Sequence, residues 1–266
     1  MQIRGLVSVL SCAVASLGIH CAQATLIVVA YDETNIYIAA DSRIGRSGKF
    51  IDGVCKIKQV GHWFMARAGW FETVPNGKTI QDRLVEADTT GRNLPEAFES
   101  LRPVIAKEFT FLVQVNKRAY PETYKEIVSR GTDELAHVLL CGYKGGRPCI
   151  ELTFWKLRFD TNQNPFVTAE TEVFPRPPGG QLGFQVLGQN GAIRKAMQDN
   201  PNFLAQQRDD PVKLLRHCAQ LELESLPSDD SKQYVGLPID ILHMTPRKAE
   251  WIQRKPECAD IVPYWE

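Results

Sequence analysis

The strands predicted from this sequence come in adjacent pairs, and helical segments separate the pairs. After Thr25, the run LIVVAYDETNIYIAADS predicts two strands around a turn at 32–35, and a second pair follows at 54–60 and 63–68. Strands that come in hairpins, rather than alternating singly with helices, argue against a doubly wound parallel sheet. We therefore expect an α+β chain of antiparallel sheets covered by helices, and a four-layer αββα sandwich fits this order.

Apolar residues between the strand pairs recur at helical spacing. Asn93 can cap a helix whose apolar face carries Leu94, Phe98, Leu101, Ile105 and Leu112, and Pro103 is the position at which a kink is expected. Other predicted helices cover 79–87, a short stretch up to Met197, and a segment that starts at 209–211. The later predicted strands are 136–143, 149–158, 167–174, 184–187, 235–244 and 248–253. No repeat or linker divides the chain, so one domain is expected.

The N-terminus has the three parts of a secretory signal. Arg4 gives a positive start, residues 5–19 are apolar, and Ala22-Gln23-Ala24 is a small-x-small cleavage site. An uncleaved anchor or a buried first helix are the alternatives, but about 15 apolar residues are short for a membrane span. We expect residues 1–24 to be removed by signal peptidase, leaving a secreted or periplasmic domain of residues 25–266 that begins with Thr25 and has no membrane span.

Charge and cysteine content narrow the function classes. The chain carries 31 basic and 31 acidic residues and no basic stripe, which argues against a nucleic-acid partner. Two of its seven cysteines leave with the signal, and the remaining odd number leaves at least one thiol free or paired between chains. Cys141 and Cys149 flank the turn at 144–147 and would face each other across a hairpin with an odd loop. No Cys-x-x-Cys occurs and the histidines are scattered, which argues against a zinc site.

A threonine at the start of a mature chain has its own base. Cleavage after Ala24 would place a free α-amine and a hydroxyl on Thr25, and such an amine has an ordinary pKa of about 7.7–8.0. It can take the hydroxyl proton directly or through one water. A neighbouring ammonium keeps that amine unprotonated by disfavouring a second positive charge. Lys56 is the candidate ammonium, and Asp41 is the carboxylate that would hold it.

These residues resemble the start of a proteasome β-type subunit, a member of the N-terminal nucleophile hydrolases. The resemblance covers residues 25–70 and rests on Thr25, on AADSR at 39–43, on VCKI at 54–57 and on AG at 68–69. It implies a threonine nucleophile at Thr25, tuned by Asp41 and Lys56. It also implies an oxyanion hole that uses the backbone N–H of Gly69, and no cofactor or metal.

The same resemblance assigns substrate contacts and shows three departures. Arg67 takes the position that lines the pocket for the substrate side chain before the cut, where an arginine accompanies a preference for acidic residues. The alternative is a partly exposed strand arginine that pairs with a local Asp or Glu. Gln189 replaces a supporting serine of the family. Lys232 and Val235 stand where the family has an aspartate and a serine, and Asp229, Asp230 or Ser231 takes such a place if the alignment shifts.

Three functions follow from these residues. The first is a peptidase that works through an ester on Thr25. The second is a hydrolase of a small amide, such as an acylated amino acid. The third is a binding module that keeps the scaffold without catalysis, as proteasome α-type subunits do, and it is favoured by the departures at Gln189, Lys232 and Val235. Assembly into a homo-oligomer is expected by analogy alone.

Overall fold

A computed structural model describes residues 25–46, 49–69, 80–87, 94–129, 133–188, 190–226 and 235–263. In chain order, the described strands are β1 (Leu26–Tyr31), β2 (Ile36–Ala40), β3 (Ile44–Arg46), β4 (Lys49–Ile51), β5 (Ile57–Val60), β6 (Trp63–Gly69), β7 (Glu134–Lys144), β8 (Arg147–Phe159), β9 (Pro165–Phe174), β10 (Gly183–Gly188), β11 (Asp240–Met244) and β12 (Ala249–Gln253). The described helices are α1 (Ile80–Ala87), α2 (Leu94–Ala119), α3 (Pro121–Ser129), α4 (Gly191–Asp199) and α5 (Pro211–Ser225), with a 3-10 helix at Ala205–Gln207. The signal segment, Gln189 and Lys232 lie outside the described residues.

The described strands form two five-stranded sheets and one small hairpin. The first sheet has the order β10-β1-β2-β11-β12, the second has the order β5-β6-β7-β8-β9, and β3 pairs with β4. Every strand pair is antiparallel. The prediction of a mixed α+β chain with antiparallel sheets is confirmed.

Strand β1 is buried along its whole length. Leu26 and Val28 pack with the helices α4 and α5, whereas Ile27 and Val29 pack against the second sheet. Because successive side chains of a strand point to opposite faces, this division shows that β1 is covered on both sides. A strand buried on both faces explains why its sequence is a continuous apolar run without alternation.

Three apolar clusters form the core of the described part of the chain. One lies between the second sheet and the helices α1 to α3, one between the two sheets, and one between the first sheet and the helices α4 and α5. Representative members, in that order, are Phe98 and Trp155, Ile38 and Phe64, and Leu215 and Ile241. This succession of clusters is compatible with the predicted sandwich.

The segment before β11 differs from the prediction. The expected strand at 235–244 begins only at Asp240. Residues 236 and 237 instead bind the chain that follows β2, because Ser42 donates its N–H to the carbonyl of Gly236 and its hydroxyl to the carbonyl of Leu237. Pro238 has no N–H to give to a strand ladder. The result is a loop that holds the end of β2 in place.

Helix α2 is longer than the sequence pattern predicts. It continues across Pro103 and ends at Ala119, several residues beyond Leu112. Val113 and Asn116 extend its buried side, and the Asn116 side chain donates to the carbonyl of Leu112. Among the described residues, no helix combines the length and the apolar character that crossing a membrane requires.

The disulfide predicted as one alternative is wrong. The β7–β8 turn has two residues, so Cys141 lies opposite Ile150 and Cys149 lies opposite Gly142. Cys141 packs between the sheets and Cys149 packs on the helical side, so the two thiols point to opposite faces. Cys55 instead pairs with Cys258, with a Cα–Cα distance of 5.0 Å and a sequence separation of 203 residues. This bond ties the loop before β5 to the C-terminal segment.

Removing this disulfide is expected to destabilise the protein. Cys258→Ala opens a loop of 203 residues, and the loss of a cross-link that closes a long loop lowers the free energy of unfolding by about 2–4 kcal/mol. Chemical denaturation of the two proteins measures the difference. Cys149→Ala is the matched control, since Cys149 is free and half-buried, and it should change stability by much less. Equal stability of Cys258→Ala and the parent chain would contradict the expectation.

Candidate active site

Thr25 lies at the start of β1, where its side chain contacts a buried lysine. The residue is 5% exposed. Lys56 Nζ donates to Thr25 Oγ1 over 3.0 Å, although the two residues are 31 positions apart in the chain. Thr25 reaches this place because the next residue, Leu26, begins the interior strand β1 and pairs with Gly188 of β10. The position of the hydroxyl is therefore fixed by a strand that is bound on both edges.

Asp41 directly follows β2 and is fully buried. Its carboxylate accepts four hydrogen bonds: Oδ1 from Lys56 Nζ at 2.6 Å and from Leu26 N at 2.7 Å, and Oδ2 from Arg43 N at 3.0 Å and from Gly236 N at 3.1 Å. An ionised carboxylate has about four acceptor sites, so all of them are used. The side chain is locked in one orientation and delivers its negative charge to the ammonium of Lys56.

Lys56 lies between Asp41 and Thr25, and its side chain is 2% exposed. Burial lowers the pKa of Lys56 to about 8, because a dry environment disfavours the ammonium. The charge and the hydrogen bond of Asp41 oppose that shift, whereas the positive charges of Lys255 and Arg67 add to it. The Lys56 ammonium therefore loses its proton at neutral to mildly basic pH.

A second buried ion pair lies next to Lys56. Lys255 Nζ is 2.7 Å from Asp240 Oδ2, and both side chains are fully buried. Lys255 Nζ also donates to the carbonyl of Val54 over 3.1 Å, two residues before Lys56. Burial raises the pKa of Asp240, and the hydrogen bond from Lys255 opposes this shift. The pair brings a carboxylate into a region rich in ammonium groups, and sequence reasoning missed both residues.

Two glycines with positive φ line a cavity beside Thr25. The cavity has a volume of about 240 Å³, and Gly69 and Gly188 form part of its wall. A Cβ on Gly69 would lie 2.5 Å from the carbonyl oxygen of Leu135, and one on Gly188 would lie 2.0 Å from the carbonyl oxygen of Thr25. Only glycine permits these close approaches. Gly69, which is predicted to form the oxyanion hole, therefore lines the same cavity as Gly188. Strand β10, which contains Gly188, pairs with β1 directly after Thr25.

Gly188→Ala should disrupt the site as well as the fold. Its φ is +76°, and that of Gly146 is +74°, so alanine costs about 1–2 kcal/mol at either position from backbone strain alone. At Gly188 the clash with Thr25 adds about 1–3 kcal/mol and displaces the threonine, whereas nothing lies within 4 Å at Gly146. Denaturation curves and activity of Gly188→Ala and Gly146→Ala provide the measurement. Equal losses in the two variants would rule out the close approach.

Of the remaining predicted residues, the structure describes Arg67 and Val235. Arg67 lies on β6, half-buried, and its charge acts on Lys56 and Lys58, lowering the pKa of each. It does not belong to the described wall of the cavity. Val235 is 1% exposed and packs in the core between the first sheet and the helices, so it offers no polar group. The backbone N–H of the following residue, Gly236, contacts Asp41 instead.

Comparisons with known proteins give no further guide to the chemistry. Neither the models of known protein families nor the curated proteins match this chain. What the site can do must therefore be inferred from its own geometry. A hydroxyl held by a buried ammonium, itself held by a locked carboxylate, can present an oxygen nucleophile and stabilise negative charge on it.

Proposed function

We propose that the protein is an exported N-terminal threonine hydrolase that cleaves amide bonds through an ester on Thr25. Its fold would be the αββα sandwich of the N-terminal nucleophile hydrolases, which include the proteasome β-type subunits that residues 25–70 resemble. The observation that carries the proposal is the contact of Lys56 Nζ with Thr25 Oγ1 at 3.0 Å and with Asp41 Oδ1 at 2.6 Å. Thr25, Asp41 and Lys56, which lie 15 or more positions apart in the sequence, thus form one hydrogen-bonded series that ends at the Thr25 hydroxyl.

The mechanism begins with release of the Thr25 amine by cleavage after Ala24. The amine takes the proton of the Thr25 hydroxyl while the oxygen attacks the carbonyl carbon of the substrate. The backbone N–H of Gly69 stabilises the oxyanion that forms. The amine then gives its proton to the leaving nitrogen, the amide C–N bond breaks, and an ester remains on Thr25. Water, activated by the same amine, hydrolyses the ester and restores the threonine.

Lys56 contributes positive charge to two of these steps. Its ammonium disfavours protonation of the nearby Thr25 amine, which keeps that amine available as a base. It also donates a hydrogen bond to the oxygen that gains negative charge as the proton leaves. Asp41 keeps the ammonium in this position, and the four donors around Asp41 keep the carboxylate in place.

Activity should fall above pH 8 while the fold is retained. The pKa of Lys56 is about 8 in the folded chain and about 10.4 when unfolded, so the ammonium that the mechanism needs is lost above pH 8. Between those two pH values the unfolded chain binds more protons at Lys56, so the contribution of this residue to stability rises with pH. Rate profiles and denaturation from pH 6 to 10 test both trends. A rate that keeps rising to pH 10 would contradict this role of Lys56.

Export and substrate preference belong to the same proposal. The Cys55–Cys258 disulfide supports an oxidising compartment, as expected for a secreted or periplasmic protein. The positive charge of Arg67 near Lys56 supports a preference for acidic substrate groups, because guanidinium binds carboxylate in a bidentate manner.

Intact mass spectrometry of the protein recovered after export tests the proposal. The expected mass is that of a chain starting at Thr25, and treatment with an activated acyl donor should add one acyl group. A protein that starts at another residue and takes up no acyl group would refute it. The same treatment of Thr25→Ala controls for acylation elsewhere.

A further inference from the structure

The cavity beside Thr25 has polar walls that the proposed mechanism does not use. Besides Gly69 and Gly188, it is lined by Glu134, His137, Asn190 and Arg194. Gly69 and His137 belong to the second sheet, whereas Gly188 belongs to the first sheet and Arg194 to α4. The cavity thus lies where an end of the space between the two sheets meets the start of α4. We call it the edge cavity.

His137 adds a buried imidazole with an unsatisfied nitrogen to the wall of the edge cavity. The residue is 9% exposed, and its Nδ1 has no hydrogen-bond partner within the described part of the chain. Its Nε2 lies 2.9 Å from Glu134 Oε2, although the ring is not aligned for a hydrogen bond, so we regard this contact as electrostatic. A buried nitrogen without a partner is unfavourable, but less than 1 Å² of Nδ1 is accessible, so His137 shapes the wall of the edge cavity and does not contact a ligand there.

Charge in the edge cavity is divided between its two walls. Glu134 faces His137, which is the main reason that the pKa of this carboxyl is lowered, and the charges of Lys156 and Arg194 act in the same direction. Arg194 is exposed on α4 and has no carboxylate within 4.0 Å among the described residues. Its helix is held by Glu222 of α5, whose carboxylate accepts the N–H of Ile193 over 2.9 Å. The cavity therefore has an available guanidinium on a positioned helix.

Strand register shows which part of a substrate would enter the edge cavity. Leu26 lies opposite Gly188, and the two strands run in opposite directions. Continuing that register, the amine side of Thr25 points along the chain from Gly188 toward Asn190. The leaving nitrogen must lie near the amine that protonates it, and the oxyanion must lie near Gly69. Gly69 and Asn190 both line the edge cavity, so we assign it to the leaving-group side of the bond.

We propose that the edge cavity binds a small carboxylate-bearing leaving group, and that Arg194 determines this specificity. This inference rests on the proposed hydrolase function. A volume of about 240 Å³ is below the range of about 300–1,000 Å³ for drug-sized ligands, so it suits one amino-acid-sized group rather than an extended peptide. Guanidinium binds a carboxylate through two parallel hydrogen bonds, which suits Arg194 to this role. The substrate class is an amide of a small amino acid.

Two activated acyl donors test the inference directly. Both are phenyl esters with the same acyl group, and one carries a carboxylate on the ring that leaves. The rate of acylation of Thr25 is followed by intact mass spectrometry, which does not require turnover. The parent protein should react faster with the carboxylate ester. Arg194→Ala should slow that reaction by roughly 10- to 100-fold, the range expected for a charge-assisted bidentate contact, and should leave the neutral ester unchanged.

Lys195→Ala is the matched control, because Lys195 is an exposed cation on the same helix and does not line the edge cavity. It should affect neither ester. If Arg194→Ala slows both esters equally, or neither, the inference is overturned while acylation of Thr25 persists. If the parent protein is acylated by neither ester, the proposed hydrolase function itself fails.

Discussion

Thr25→Ala lowers the rate of amide hydrolysis by at least about 10⁴-fold, since removing the nucleophile of such a site leaves only binding and oxyanion contributions. The substitution keeps the backbone that pairs with Gly188 and removes one hydrogen bond from Lys56, which retains its contact with Asp41. The fold should therefore persist. Single-turnover kinetics measure the rate, and circular dichroism monitors the structure.

Thr25→Ser is the matched control for that change. It keeps a hydroxyl and an amine on the same residue, so hydrolysis should remain far above that of the alanine variant. Alanine and serine variants with the same rate would show that the hydroxyl takes no part in the reaction. Full activity of Thr25→Ala would lead to the same conclusion.

Asp41→Ala lowers the free energy of unfolding by about 3–5 kcal/mol, the usual effect of leaving a buried charge without its partner. The Lys56 ammonium loses a contact of 2.6 Å, and the backbone N–H groups of Leu26, Arg43 and Gly236 lose their acceptor. Because Lys56 then no longer has a fixed position, activity should fall as well. Denaturant unfolding gives the magnitude.

Two comparisons make this second expectation specific. Asp52→Ala breaks the ion pair with Arg43, but the Asp52 side chain is 48% exposed, so the loss should be only about 0–1 kcal/mol. Adding Lys56→Met to Asp41→Ala removes the unpaired charge and should recover part of the stability. If Asp41→Ala costs no more than Asp52→Ala, the buried pair is not the anchor of the site.

Local sequence patterns predicted the secondary structure well where partners are close in the chain. The β1–β2 hairpin follows from a turn at 32–35, in which the Asp32 carboxylate accepts the N–H groups of Thr34 and Asn35. The β7–β8 hairpin was also predicted, but the sequence did not show whether its loop has an even or an odd number of residues. A two-residue turn shifts the register by one position relative to an odd loop, and this shift places Cys141 and Cys149 on opposite faces.

The convergence of Thr25, Asp41 and Lys56 could be predicted because all three lie at the ends of short strands: Thr25 before β1, Asp41 after β2 and Lys56 before β5. Their order along the chain follows the order of those strands. The chemical roles stay predictions. The geometry adds that Asp41 is held by four donors and that Lys56 bridges it to Thr25.

No pattern in the sequence predicted the contacts between distant parts of the chain. Lys255 meets the loop before β5 through the carbonyl of Val54, 201 positions away, and no periodic pattern encodes this approach. The cysteines offered a signal, but the five that follow residue 24 allow many pairings, so the sequence alone does not select Cys55 with Cys258. Arg194 and His137 meet only when two sheets and a helix are assembled, so sequence reasoning could not link them.

One measurement bears most directly on the central claim that Thr25 supplies both nucleophile and base. The mature protein is treated with an electrophile that closes a ring with the hydroxyl and the amine of a single residue, and the adduct is mapped by peptide mass spectrometry. We expect one adduct, on the N-terminal peptide at Thr25, and none after Thr25→Ala. An intact N-terminal peptide without an adduct, or an adduct that survives Thr25→Ala, would contradict the claim.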